Sequence, residues 1–557
     1  MMRWMVVLAW LLALGAPPAA SAADGCPAAK VLHGGVVHTV DASRPAAEAL
    51  AIGADGRIVA TGDSGDLLER YACAEARDLG GLTVVPGFID AHGHLEGLAL
   101  SMAQADLVDT GSVEDIIARL EEHAATLGEG DWLVGRGWDQ NDWPEQRFPT
   151  REALDAAFPD RPVWLRRIDG HAAWANGAAM AAADRDFSGD WQPEGGFIHR
   201  DANGAATGVF IDTAMAFIEE ARPPVSEAFI DAALDRALAH LAAVGITGVH
   251  DAGVSRQAAE RYLRRIEAGR FDLRLYAMAD GLREAFEWAC EAPVVHPSGR
   301  FTMRSVKLYA DGALGSRGAA LLEDYADEAG NRGLLMVAPE AMTAAIGRVG
   351  ACGLQAAVHA IGDRANRVVL DGIEAMQRAH PDNPGRHRVE HVQVLDEADV
   401  GRFARLGIVA SMQPTHATSD MYWAGDRLGP ERERYAYAWR SLLDAGARLA
   451  FGSDFPVERA NPMLGLLAAV ARQDTEGWPE GGWHPEQAVS RAEALHGFTL
   501  GAAWAAFMED EVGSLAPGKR ADFVVLDADP MRVPVQRIDD IGVVETWLDG
   551  RAIFVRP

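Results

Sequence analysis

Apolar runs that stop on a histidine, a lysine or an aspartate recur along this chain. They restrict it to folds in which the ends of separate strands converge. Ile89-Asp90-Ala91-His92-Gly93-His94 follows the apolar stretch from Thr83 to Phe88. Lys307 sits in Val306-Lys307-Leu308-Tyr309-Ala310-Asp311-Gly312, His359 closes Leu354 to Val358, His391 closes His387 to Glu390, and Asp454 closes Arg448 to Ser453. Between these runs lie helical patterns at Ala232–Val244, Ala338–Cys352, Arg364–His380, Leu395–Leu406 and Trp439–Gly446. Strands alternating with helices imply parallel pairing and crossover helices. Imidazoles and carboxylates at the C-terminal ends of many parallel strands describe a site at the top of an α/β barrel.

The 557 residues exceed one simple core and imply further units. Both ends are rich in short strands and turns. Lys30 to Val40 reads as a hairpin around Gly34-Gly35, Ala49 to Gly62 as one turning at Asp55-Gly56, and Val543 to Val555 as one turning at Asp549-Gly550. Isolated hairpins are marginal, so residues 23–86 and 510–557 are expected to pair as one small β-sandwich flanking residues 87–509. The stretch 97–241 is too long for a barrel loop and is expected to hold an inserted subdomain.

Residues 1–22 read as a signal peptide: Arg3, an apolar run from Met5 to Leu14, Pro17-Pro18, then Ala20-Ser21-Ala22. The expectation is a periplasmic or secreted protein cleaved near Ala22, with no stable membrane anchor. Export permits disulfides. Among the four cysteines, Cys26 and Cys73 are the best pair, and Cys290 and Cys352 read as buried thiols. A net charge of −30 argues against a nucleic-acid partner and leaves a small molecule as the expected one.

His92 and His94, two apart on a strand, point to one side and can approach one metal ion. His359 and His391 end separate strands that a barrel would bring together. Asp454 can bind a metal and accept a proton from the attacking water. A protonated lysine cannot ligate a metal, but a carbamate formed from Lys307 and carbon dioxide could bridge two. A salt-bridged or substrate-contacting Lys307 is the alternative. Trp138, Asp139, Trp143, His171, Arg317 and His416 lie in loops or the insertion, where substrates are read over a rigid barrel. For Asp139 and Trp143, packing or turn roles are equally open.

Val84 to His94 resembles the first-strand motif of the amidohydrolase superfamily. More narrowly, the chain is similar to its YtcJ-like branch, also called amidohydrolase family 3. The carrying motifs are Gly137-Trp138-Asp139, Asp169-Gly170-His171-Ala172-Ala173-Trp174, Val249-His250-Asp251-Ala252-Gly253 and Lys307 to Arg317. The others are His359 to Ala365, Val389-Glu390-His391, Gln413-Pro414-Thr415-His416 and Gly452 to Val457. The resemblance implies a distorted TIM (β/α)8 barrel with a split β-sandwich. It also implies one or two divalent metals, zinc being expected, on His92, His94, carboxylated Lys307, His359, His391 and Asp454. A homodimer is the family habit.

The expected activity is hydrolysis of the C–N bond of a small N-acyl or N-substituted amide by metal-activated hydroxide. A lactonase or esterase on the same site is the alternative within enzymes. A catalytically silent binding or regulatory protein of the same fold is the alternative outside them.

Overall fold

The computed structural model describes residues 26–128 and 130–557; the signal-peptide reading of 1–22 falls outside them. At the centre stand eight parallel strands. These are β1 (Phe88–Gly93), β2 (Ile246–Val254), β3 (Arg274–Asp280), β4 (Phe301–Tyr309), β5 (Gln355–Ala360), β6 (Arg388–His391), β7 (Val409–Met412) and β8 (Arg448–Phe451). Each pairs in parallel with the next. Their residues are buried almost throughout, as expected for strands covered on both faces.

The last turn of the barrel is incomplete. Strands β1 and β8 form no regular ladder and meet at the top, where Asp454 N donates to His92 O at 2.7 Å and His94 N to Phe455 O at 2.8 Å. Lower down, Ala502, Ala503 and Ala505 pack against Ile89, Ala91, Val409 and Ala450. A small-residue helical segment therefore enters where the missing ladder would be, which distorts the barrel.

Helices cover the outside, and their starts follow local chemistry. Ser226 and Ser255 cap Glu227–Ala243 and Arg256–Glu267 by accepting from Phe229 N and Ala258 N. Asp396 caps Glu397–Leu406, which ends on Gly407 at φ 63°, the left-handed conformation that glycine adopts at no steric cost. Among the described residues, no helix is long and apolar enough to cross a membrane.

The two chain ends interleave in two further sheets. One joins Lys30–His33, Ala49–Ile52, Ile58–Gly62 and Glu75–Asp78; the other joins Val36–His38, Ala46–Ala47 and Thr83–Pro86 with the C-terminal strands Phe523–Leu526, Val543–Leu548 and Arg551–Val555. Two of the expected hairpins are present, Ala49 to Gly62 and Val543 to Val555. Lys30 to Val40 is not a hairpin. Gly34, at φ 70°, turns the chain out of one sheet and into the other, so its two strands pair with different partners.

A six-stranded sheet between β1 and β2 spans Ala105 to Asp212 and carries two cores of its own. The helix Glu227–Ala243 lies beyond it and packs into the barrel core. Cys26 and Cys73 form a disulfide. Cys290 and Cys352 are not the buried thiols expected from their apolar context: they form a second disulfide, with Cα atoms 5.0 Å apart. The end of helix Glu284–Glu291 and the C-cap of helix Pro339–Ala351 meet on the barrel exterior, a proximity between distant segments that local apolarity does not reveal.

Candidate metal centre

All six expected ligands gather at the top of the barrel, around Asp454. This residue follows β8 at φ 61°, and its turn is held by Asp90 of β1. Asp90 accepts from Ser453 N at 3.0 Å, from Ser453 Oγ at 2.6 Å and from His92 N at 3.1 Å. Asp454 Oδ1 lies 3.1 Å from His94 Nε2 and 3.7 Å from His92 Nε2, and Oδ2 lies 3.9 Å from His391 Nδ1. Donor atoms of His92, His391 and Asp454 all fall within 4.8 Å of one another. The His391 ring is 4.7 Å from that of His92 and 4.5 Å from that of His359, centroid to centroid.

Lys307 is the fully buried member on β4, with Nζ 3.0 Å from His92 Nε2. Burial lowers its ammonium from 10.5 to about 8, against the pull of Glu390 and Asp454. Burial, with the positive charge of Lys307, likewise lowers His92 to about 4. It also holds His359 and His391 well below the usual imidazole range. Burial alone would raise the Asp454 carboxyl, but the close His94 ring and the surrounding imidazoles keep it well below its ordinary value.

These residues fit a metal ion. Neutral imidazoles and an ionised carboxylate are the forms that ligate. Asp454 Oδ1 is buried without a hydrogen-bond partner, an orphan that a cation would satisfy.

A second tier orients the first, and the sequence reading missed it. Glu390 accepts from His92 Nδ1 at 2.6 Å and from Arg388 Nε at 2.7 Å. That contact leaves His92 Nε2 facing Lys307 and Asp454. A carboxylate on the far nitrogen fixes tautomer and ring angle in metal-binding histidines. Arg388 also donates to His250 Nδ1 at 2.7 Å, to Ala91 O at 2.6 Å and to Ser411 Oγ at 2.7 Å, tying four strands together across the barrel interior. Gln413 Oε1 lies 2.9 Å from His391 Nδ1. Asp311 accepts from the backbone N–H groups of Ile361, Gly362 and Ala320 and has Oδ1 3.6 Å from His359 Nε2. One signal was present. Arg388 and Glu390 are two charges at i and i+2 on a strand otherwise read as buried, so both face the barrel interior.

The six expected substrate-reading residues divide. His171 Nδ1 is 2.7 Å from Asp212 Oδ1, and its ring lies 5.1 Å from that of His359. Burial works against its protonation, but Asp212 outweighs burial and raises it above the usual imidazole value. His416 Nε2 is 3.7 Å from Asp454 Oδ2 and has no hydrogen-bond partner.

The other four are not brought to the centre. Trp138 and Trp143 are buried in the core of the inserted sheet, where their indole N–H groups donate to Leu165 O and Thr110 O. Asp139 pairs with Arg167 and caps a short helical turn through Asn141 N. Arg317 pairs with Asp327 at 2.8 Å and Glu328 at 3.2 Å. In each case a local partner takes the group that would have met a substrate.

The chain is 34% identical over 533 residues to the putative amidohydrolase YtcJ of Bacillus subtilis (strain 168), covering 94% of this chain and 99% of that one. It is 30% identical over 537 residues to the N-substituted formamide deformylase of Arthrobacter pascens, covering 92% and 96%. An uncharacterized metal-dependent hydrolase from Pyrococcus horikoshii OT3 shares the fold with a TM-score of 0.73 at 28% identity, over 91% of this chain and 99% of that one. The sequence model of the amidohydrolase family matches residues 75–554. That match begins in one terminal sheet, takes in every barrel strand and ends in the other terminal sheet, so the chain belongs to the amidohydrolase family.

Proposed function

We propose that this protein is an exported hydrolase of carbon–nitrogen bonds other than peptide bonds, acting on a small N-acyl or N-substituted amide. The observation that carries the reading is the convergence of an ionised Asp454 with neutral imidazoles from separate strands. Buried polar groups without partners are costly, and a fold with no use for this cluster would not need it. The N-substituted formamide deformylase relative supports amide chemistry. Two disulfides support an oxidising compartment and hence export.

His92, His94, His359, His391 and Asp454 would hold the metal, and imidazole with carboxylate suits zinc. Lys307 would join them as a carbamate: an amine lowered to about 8 has a substantial neutral fraction near that pH, and only the neutral amine adds carbon dioxide. When bound, a divalent ion polarises the amide carbonyl and lowers the pKa of water. The protein residues do the rest. Asp454 accepts the proton of the attacking water and returns it to the leaving nitrogen. His171, its basicity raised by Asp212 at 2.7 Å, faces the substrate carbonyl. His416, with its free Nε2, borders the same space.

The test is metal content per chain on protein purified without added metal, together with native intact mass. One or two metals and, for the carbamate, an added mass of carbon dioxide are the expected results. A folded chain that neither contains nor takes up metal would overturn the reading.

A further inference from the structure

Arg136 and Arg166 lie directly opposite each other on the adjacent parallel strands Leu133–Trp138 and Val163–Arg167 of the inserted sheet. Like charges in that relation repel. Neighbouring acids offset them only in part: Asp454 and Asp169 attract Arg136 without forming an ion pair with it, and Arg166 meets Glu219 alone. Arg136 makes two hydrogen bonds, both to neutral backbone carbonyls: Nε to Pro456 O at 3.2 Å and Nη2 to Ile168 O at 2.8 Å. Among the described residues it has no ion-pair partner. Arg166 has Glu219 at 3.5 Å, and its buried Nε makes no hydrogen bond. Arg222, attracted by the same Glu219 and repelled by Arg166, adds a third guanidinium with no salt bridge. By contrast, Arg167 is matched by Asp139 and Asp169, and Arg274 by Asp522 and Asp549.

The location of this excess charge is specific. Pro456, which anchors Arg136, is two residues beyond Asp454. Ile168, its other anchor, leads into the turn that presents His171 beside His359. The two carbonyls hold the Arg136 guanidinium in place next to the metal centre without neutralising it. Its Nη1 makes no hydrogen bond among the described residues. Burial and the facing Arg166 lower Arg136 to about 10 against the attraction of Asp454 and Asp169, so its charge persists at neutral pH but is held in an unfavourable setting. An anion would relieve that setting, and planar guanidinium forks match carboxylates in bidentate geometry.

We propose that Arg136, with Arg166 beside it, is the receptor for a carboxylate on the substrate, so that the preferred substrate is an N-acyl amino acid or a comparable acid-bearing amide. The proposal rests on the amide-hydrolase reading, whose failure can be separated from its own.

The experiment compares a panel of N-acyl amino acids with matched N-acyl amines that lack only the carboxylate, on the metal-loaded full-length protein and on Arg136→Met and Arg136→Lys. kcat, KM and a calorimetric Kd are measured for each pair. The wild type is expected to prefer the acid by tenfold or more in kcat/KM. In Arg136→Met that ratio should fall toward one through a higher KM for the acid, with partial recovery in Arg136→Lys. Equal use of both partners by the wild type, or an equal loss on both in Arg136→Met, would overturn the proposal. If no pair is turned over, the hydrolase reading fails, and Kd decides this one. Arg136-dependent binding of the acid alone supports it; absence of such binding overturns it.

Discussion

Glu390 precedes His391 in the chain but serves His92, and this separation explains why residue-level reading stops where it does. Histidines at strand ends announce themselves, because an imidazole on an apolar run needs a reason. The glutamate that aims one of them looks like any charged residue until the barrel places it 2.6 Å from His92 Nδ1. Glu390→Gln keeps the shape and removes the charge. It is expected to weaken metal binding by about 10–100-fold, read by titration against a competing chelator; unaltered affinity would show that the contact orients nothing. Asp454→Asn removes the proposed proton acceptor. Its kcat on a hydrolysed amide should fall by roughly 10²–10⁴-fold, with metal stoichiometry measured on the same sample so that loss of the base is told apart from loss of the ion. Trp138 and Trp143 carry the opposite lesson. Their aromatic, turn-rich context suggested substrate contact, with packing equally open for Trp143, but burial in the inserted core is a property of neighbours far away in sequence.

At the scale of elements, the junction of β1 and β8 decides whether the centre forms. A Cβ on Gly452 would lie 2.5 Å from both Asp90 Oδ1 and His92 N. Gly452→Ala must therefore push the first strand away from the last. We expect a loss of about 1–3 kcal/mol in stability and reduced metal content, checked by thermal melting and metal analysis; a variant with native melting and full metal would contradict this account of the closure. The second disulfide joins two barrel helices across 62 residues. Chain-entropy reasoning gives a loop of that length about 4 kcal/mol of stabilisation. Cys290→Ser should lower the denaturant midpoint accordingly and steepen the transition, because the unfolded chain without the crosslink exposes more surface. The strands, helices and two of three hairpins were legible because periodicity and turn residues are local. The failed hairpin at Gly34-Gly35 was not, because choosing between two sheets depends on strands that arrive later in the chain.

For the whole molecule, the barrel and the terminal sheets are locked by charge. Arg274 of β3 is buried and pairs with Asp522 and Asp549 from the C-terminal strands, while Arg300 lies 2.9 Å from Asp549. Burial would raise the Asp549 carboxyl, but Arg274, Arg520 and Arg300 bring it down from 3.8 to about 2. A folded-state value below the unfolded one stabilises fully above the unfolded pKa and is lost as pH falls through the folded one. Asp549 should therefore contribute about 2 kcal/mol near neutrality that fades between about pH 4 and 2. Asp549→Asn should flatten that part of the stability profile, as measured by denaturant titration across the range; an unchanged profile would remove this lock from the account. Sequence alone determined the alternation of strands and helices, the histidines, lysine and aspartate at strand ends and the presence of a barrel with β-rich chain ends, because each is written in local patterns of apolarity and turns. Only the tertiary structure decided which aspartates and glutamates orient the histidines, that Cys290 pairs with Cys352 and which arginines remain unneutralised. Those outcomes depend on distances between side chains that lie tens to hundreds of residues apart, and no local pattern encodes them.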